Sequence, residues 1–366
     1  MIALAKDGKH LYAGFRDDDM DFSGSLLKVA VLYAAFELRA AANRLAAEIE
    51  LTPGDDLFAA LRAAFGNSIE AVSLTRLQGK PRPKPKTPIA IPVYEDILEL
   101  TTRIPPNGPV DFTSKQVTTD RIARGPDPVT HTGTHHNITA TQDFLSALNA
   151  MIVESDDMSA SQCISALGYS YINAVLMKAG LFKPNSMKGD EQGIWIGGEY
   201  ENLKQSRILA LNDGTGAFVM DTEAMCRLMA LIFTGIAVND SSSGGTSNKE
   251  MQDMLEASIL GNPPFILRRT AAAPALKFRL ARNKLGLAGL GRNEEKGIVA
   301  SECTVLTWNT DTASDPGALF AQGIAKHNLT GDVVVCWQNL PLPSSTQMFD
   351  GIGDIVEQTY GEFLKT

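Results

Sequence analysis

Ser25 and Lys28, in the stretch FSGSLLKVAVLYAAFEL at residues 22–38, place a hydroxyl and an amine three residues apart at the head of an apolar run. On a helix, positions i and i+3 are neighbours on one face, so the Lys28 amine reaches the Ser25 hydroxyl. A serine hydroxyl is a poor nucleophile until a nearby base takes its proton. A lysine is that base only where burial or another cation lowers its pKa. Residues 29–38 are almost all apolar, which predicts a buried helix with a poorly solvated first turn. A free backbone N–H at the helix start could also receive an oxyanion. The same residues have a reading without chemistry, in which Ser25 caps the helix and Lys28 snorkels to solvent.

Two further stretches carry reactive types. MIVESDDMSASQCISALG holds Ser155-Asp156-Asp157 between two helical patterns, and ARNKLGLAGLG holds Lys284-Leu285-Gly286 ahead of a β-rich run. Tyr171-Ile172-Asn173 forms a Y-x-N motif in mid-pattern, which reads as a helix-start or core tyrosine. THTGTHHN contains His131, His135 and His136. H-x-x-x-H is metal-ligand spacing on a helix, but the Gly and Thr content argues against a helix and no nearby Cys or acidic cluster completes a site. These read as surface-loop histidines, and no metal is expected. Cys163, Cys226, Cys303 and Cys336 are far apart with no C-x-x-C pair, so they read as buried free thiols.

The elements that must position these residues follow from pattern. Residues 2–15 read as a β-hairpin around Asp7-Gly8. The first helix is expected from Ser25 to Ile49, stopped by TPGDD, and a second over 56–78. Residues 79–138 are rich in Pro, Thr and Gly and read as an insertion or long functional loop, with a short strand in IAIPVYEDILEL. Helical periodicity returns at 140–154, 160–168, 171–182, 222–235 and 250–260. The runs 297–308 and 331–340 are β-rich, with a helix between them, and an amphipathic helix closes the chain. Strands at both chain ends must pair with each other, with helices on the faces.

The bulk properties exclude some classes. The chain has 366 residues, 44% hydrophobic and 20% charged, with a net charge of -9. That fits an ordinary globule with a substantial core. The acidic balance argues against nucleic acid or an anionic membrane as the main partner. KPRPKPK at 80–86 is short and proline-spaced, so it reads as an extended solvated segment. No stretch is long and apolar enough to span a membrane. No signal peptide is visible, which leaves the compartment open: cytoplasmic, or periplasmic or secreted if a leader was trimmed.

Ser25-x-x-Lys28, Ser155-Asp156-Asp157 and Lys284-Leu285-Gly286 together resemble the S-x-x-K, S-D-N and K-T-G set of the penicillin-recognising serine hydrolases, in the same chain order. This superfamily comprises class A β-lactamases, penicillin-binding proteins and related esterases. The flanks match as well: the hairpin before Ser25, AMIVESDD before the second motif, VMDTEAMCRLMALIFTG, and two strands with a terminal helix. The likeness covers roughly residues 1–50 and 140–366. It implies an α/β (α+β) fold of β-lactamase/transpeptidase type, an antiparallel sheet flanked by helices plus a mostly helical subdomain. Residues 1–50 and 275–366 would form the α/β part and 51–274 the helical part.

The resemblance also implies roles. Ser25 would be the acylated nucleophile and Lys28 its base. Ser155 would relay a proton to the leaving group. Lys284 would supply positive potential, and Gly286 would allow close backbone approach. The N–H groups of Ser25 and Leu287 would form the oxyanion hole. No cofactor is required, and the substrate would be a small-molecule or peptide-like ester or amide. Asp157 stands where the family has Asn, so it cannot donate to a substrate carbonyl; it could pair with Lys28, with Lys284 or with a substrate amine. Leu285 replaces a Thr or Ser hydroxyl, which points to a neutral or apolar acyl group. Glu191, Glu199 and Glu201 lie where the family carries its deacylating glutamate, but GGEYENLKQ matches E-x-x-L-N only loosely, and Glu199 and Glu201 are the candidates retained. Three readings stay open: an ester or amide hydrolase, a D,D-peptidase or β-lactamase, and a non-catalytic binding protein of the same fold.

Overall fold

Alternation along the terminal strands sets the central layer. Ile2 and Leu4 join one buried cluster while Ala3 and Ala5 join another, as the two-residue period of a strand requires. A computed structural model describes residues 1–48, 57–73, 92–103, 109–110, 135–183, 191–201, 208–212, 216–240, 246–258, 265–267, 277–289, 298–308, 317–342 and 346–365. The opening strands are β1 (Ile2–Ala5), β2 (Leu11–Tyr12) and β3 (Asp21–Phe22). The closing strands are β10 (Phe278–Gly289), β11 (Ile298–Trp308) and β12 (Leu329–Leu342). They form a five-stranded antiparallel sheet in the order β10-β11-β12-β1-β2. The expected pairing of the two chain ends is the β1–β12 contact, with Ile2 opposite Val334.

Helices cover both faces. α9 (Gly317–Lys326) and α10 (Thr346–Lys365) pack on the side of Ala3, Leu306, Val333, Val356 and Tyr360. The other face meets a larger core built from α1 (Lys28–Glu48), α2 (Leu57–Ser73), α4 (Gln142–Asn149), α5 (Asp157–Leu167), α6 (Tyr169–Lys178), α7 (Thr222–Phe233) and α8 (Ser247–Glu256). Arg39 of α1 holds the Glu250 carboxylate and the Ser247 hydroxyl of α8, which fixes α1 against the helical layer. A second sheet, β3-β9-β8-β7, uses β7 (Phe182–Lys183), β8 (Gln192–Ile196) and β9 (Phe218–Met220). Asp221 caps α7 by accepting from the Ala224 N–H at 2.7 Å, and it also accepts from Gly193 of β8. Among the described residues, no helix is long and apolar enough to cross a membrane.

Four expectations change. The helix expected from Ser25 begins as a 3₁₀ turn at Gly24–Leu27 and becomes α-helical at Lys28. Gly24 stands at φ +55°, and a Cβ there would meet the Leu287 carbonyl oxygen at 2.3 Å, so the glycine lets β10 lie close against the turn. Part of 79–138 is ordered structure: α3 (Tyr94–Ile97), β4 (Leu98–Arg103), β5 (Pro109–Val110) and β6 (His135–Ala140), forming the sheet β5-β4-β6. The segments 79–91, 104–108 and 111–134, with His131, lie outside the described residues, as does the TPGDD stop at 52–56. His135 and His136 sit on a strand, paired opposite Arg103 and Thr102, instead of in a loop. The cysteines are free as expected, but Cys226, Cys303 and Cys336 are not isolated: their sulfurs lie together.

Candidate active site

The site is built around one turn, residues 152–157, held by two buried lysines. After α4 the backbone loosens into a π turn over Ala150–Glu154, and Ser155 ends it in the left-handed region at φ 58°. The carbonyls at such an end lack intrahelical partners and attract cations. Lys28 donates to the Ser155 carbonyl at 2.6 Å and reaches the Ser155 hydroxyl oxygen at 3.4 Å. Lys284 donates to the Ile152 carbonyl at 3.2 Å. Both lysines are 0% exposed, so the snorkelling alternative for Lys28 is overturned. Ser25 does not cap the helix either, because the residue ahead of the 3₁₀ turn is Ser23.

Ser25 and Lys28 belong to a tighter turn than the α-helix expected, and the hydrogen bonds of Lys28 go to Ser155 and Asp157. In a 3₁₀ turn, residues three apart eclipse one another. Ser25 lies within the turn, half-buried, and Lys28 closes it. Strand β10 passes directly behind. A Cβ on Gly286 would stand 2.1 Å from the Ser23 carbonyl oxygen and 2.8 Å from the Leu26 nitrogen. Only glycine lets the backbone come this close. Gly286 and Leu287 therefore border the Ser25 turn.

Asp157, in the first turn of α5, forms an ion pair with Lys28 through Oδ1. Of the pairings left open by the sequence, this is the one made. Asp157 is 52% exposed on the side away from the lysine, so water screens part of the attraction. Burial holds Lys28 below the usual lysine pKa, and the Asp157 hydrogen bond and charge only partly restore it. Burial pushes Lys284 down to about 7, with the charge of Lys28 adding to the effect and that of Asp157 opposing it. The two lysines thus repel each other through space, and neither is a comfortable cation.

Leu285 is oriented away from this group. Its neighbours Lys284 and Gly286 face the turn, and Leu285 packs with Ala300 and Phe349. The side chain is covered there, and position 285 offers the turn no hydroxyl.

The residue the sequence reading missed is Tyr200. Its ring lies under the Lys28 ammonium, 4.7 Å from the centroid, and stacks on Phe218 at 4.5 Å. Its hydroxyl donates to the Gly24 carbonyl at 2.9 Å. Burial first and the Asp157 charge second push the phenol well above its usual pKa, so it stays a donor. Glu199 and Glu201 flank it. Glu201 is exposed, and its backbone N–H donates to the Ser161 hydroxyl at 2.9 Å, while Glu199 is half-buried. Tyr200 touches both Lys28 and the Ser25 turn. The aromatic character of EYEN, where a carboxylate was sought, was the only available signal.

Tyr171 and Asn173 belong to the core. Tyr171 is buried in α6, with its hydroxyl 3.5 Å from the Ala34 carbonyl. Asn173 bonds both backbone groups of Ile196, tying α6 to β8.

No family model matches the chain, and no curated protein matches it. Among solved structures it is similar to the β-lactamase from Sphaerobacter thermophilus, at 14% identity, covering 99% of this chain and 90% of that one, with a TM-score of 0.41. It is similar to the β-lactamase from Desulfarculus baarsii at 13% identity, covering 98% and 90%, with a TM-score of 0.43. It is also similar to the class A β-lactamase from Clostridium kluyveri at 10% identity, covering 98% and 92%, with a TM-score of 0.42. In its own strand order and helical layers the chain is an α/β protein, an antiparallel sheet flanked by helices with a mostly helical layer on one face.

Proposed function

We propose that this chain is a serine hydrolase that forms an acyl-enzyme on Ser25 and acts on an ester or amide. The observation that carries the reading is a fully buried Lys28, its pKa lowered, one 3₁₀ turn after Ser25 and bonded to the Ser155 turn. In the neutral form, Lys28 Nζ accepts the Ser25 hydroxyl proton as Oγ attacks the substrate carbonyl. The N–H groups of Ser25 and Leu287 receive the oxyanion. The proton returns through the Ser155 hydroxyl to the leaving group as the C–O or C–N bond breaks. Lys284 disfavours a charged Lys28 and attracts an anionic substrate. Water then attacks the acyl carbonyl, the Ser25 ester bond breaks, and Ser25 regains its proton. Tyr200 puts an aromatic ring against Lys28, and Glu199 or Glu201 would have to reach in from its flanks to activate that water.

The Lys28–Asp157 ion pair favours a second reading, a non-catalytic binding protein of this fold, because a paired ammonium has no lone pair to offer. Intact-protein mass spectrometry after incubation with a fluorophosphonate and, separately, with a penicillin decides between them. An adduct that disappears in Ser25→Ala and Lys28→Ala supports the hydrolase, and penicillin as the better probe would point to a D,D-peptidase or β-lactamase. No adduct with either probe overturns the hydrolase reading.

A further inference from the structure

Three cysteines from three separate elements meet in the core. Cys303 on β11 stands directly opposite Cys336 on β12. Residues directly opposite on antiparallel strands project to the same face. α7 lies across that face and contributes Cys226, and the three sulfurs all lie within 4.8 Å of one another. Cys226 and Cys303 are buried, Cys336 is half-buried, and all three are free thiols. The same row of the sheet continues to Lys284, opposite Cys303 on β10.

We propose that Cys226, Cys303 and Cys336 bind one soft, thiophilic metal ion, with monovalent copper as its class. Thiolate donors select such ions. Metal–sulfur bonds of about 2.3 Å set three sulfurs in a trigonal site about 4 Å apart. The 4.8 Å limit is within one side-chain adjustment of that. Structural zinc takes four protein ligands, and among the described residues this cluster offers three and no His or carboxylate. A soft monovalent ion is satisfied by three sulfurs in an apolar setting. Each ligating thiol loses its proton: Cu⁺ and three thiols give a tris-thiolate of net charge −2 and three released protons. The donors sit on two hydrogen-bonded strands and a helix, so little ordering is left to be done on binding.

The test uses the whole chain, reduced and anaerobic, titrated with Cu(I) against a chromogenic Cu(I) chelator and separately with Zn(II). Metal per chain is measured after desalting, with the ultraviolet thiolate-to-copper absorption and the thermal midpoint. About one copper per chain is expected, with the absorption band and a raised midpoint. Cys163→Ala, which removes the buried cysteine outside the cluster, leaves all three intact. Cys226→Ala and Cys336→Ala, checked for fold by circular dichroism, lose the retained copper. Four results overturn the proposal: no retention, equal retention in the cluster variants and wild type, retention of zinc but not copper, or an intact mass lower by two hydrogens with two cluster thiols blocked, which would mark a disulfide. None of these depends on Ser25 chemistry.

Discussion

Replacing Asp157 by Asn tests the electrostatics of the site most directly. The change removes the anion paired with Lys28 and keeps a side-chain oxygen of similar shape. Lys28 retains its bond to the Ser155 carbonyl at 2.6 Å, so the chain should still fold. In bulk water a contact ion pair is worth about 1 kcal/mol, rising to about 4 kcal/mol near a protein surface. With Asp157 at 52% exposure, the lower end applies, roughly 1–2 kcal/mol. One pH unit corresponds to about 1.4 kcal/mol, so Lys28 should lose its proton about one pH unit lower in the variant. Lys28 acts as a base only when neutral, and labelling of Ser25 should rise with pH as it deprotonates. The assay is the second-order rate of fluorophosphonate labelling across pH, read by intact mass. The acid limb of that profile should move about one unit to lower pH, with labelling about tenfold faster on the limb. A limb that stays put, or moves to higher pH, refutes the assignment of Lys28 as the base whose charge Asp157 controls.

Gly286→Ala should cut the labelling rate about 100-fold by pushing β10 off the Ser25 turn, because its Cβ would meet Ser23 at 2.1 Å; Gly351→Ala, with nothing within 4 Å of its Cβ, should label normally. Tyr200→Ala should shorten the lifetime of a Ser25 acyl adduct by admitting water beside Lys28, whereas Tyr200→Phe should preserve the lifetime and cost about 1 kcal/mol of stability from the lost Gly24 bond, read by chemical denaturation. Lys284 has a folded pKa of about 7 against 10.5 unfolded, so the unfolded chain binds the extra proton between those values and stability should rise with pH across that window. Lys284→Met should flatten that rise, by up to about 1.4 kcal/mol per pH unit, when denaturation is followed from pH 7 to 10.

Much of the architecture was legible because it is written in local patterns. The hairpin pattern of 2–15 around Asp7-Gly8, the β-rich runs near 300 and 335, and the amphipathic closing helix each specify an element whose apolar face has to be covered. The pairing of the chain ends followed from the need to satisfy strand edges. Ser25 and Lys28 were legible as residues of one turn because either helical geometry, α or 3₁₀, places positions three apart on one face. The 3₁₀ form itself was not, and the strand packed closely against Gly24 comes more than 250 residues later.

What only the tertiary structure decided are the partners brought in from far along the chain. Lys28 and Asp157 are 129 residues apart, and Tyr200 lies 176 from the Gly24 carbonyl that it bonds. Sequence offers Asp157 three partners and Tyr200 none, because a side chain's electrostatic partner depends on which backbones pack side by side. Leu285 shows the same limit at single-residue scale: its type did not say what it packs against, and the fold sets it against Ala300 and Phe349. The three cysteines show it most plainly. Nothing in the spacing of 226, 303 and 336 relates them; a strand register puts two in one row, and a helix crossing that row adds the third. The chain's own sequence determines which chemistry is available, while the packing of distant segments determines which groups share a dielectric, a charge and a point in space.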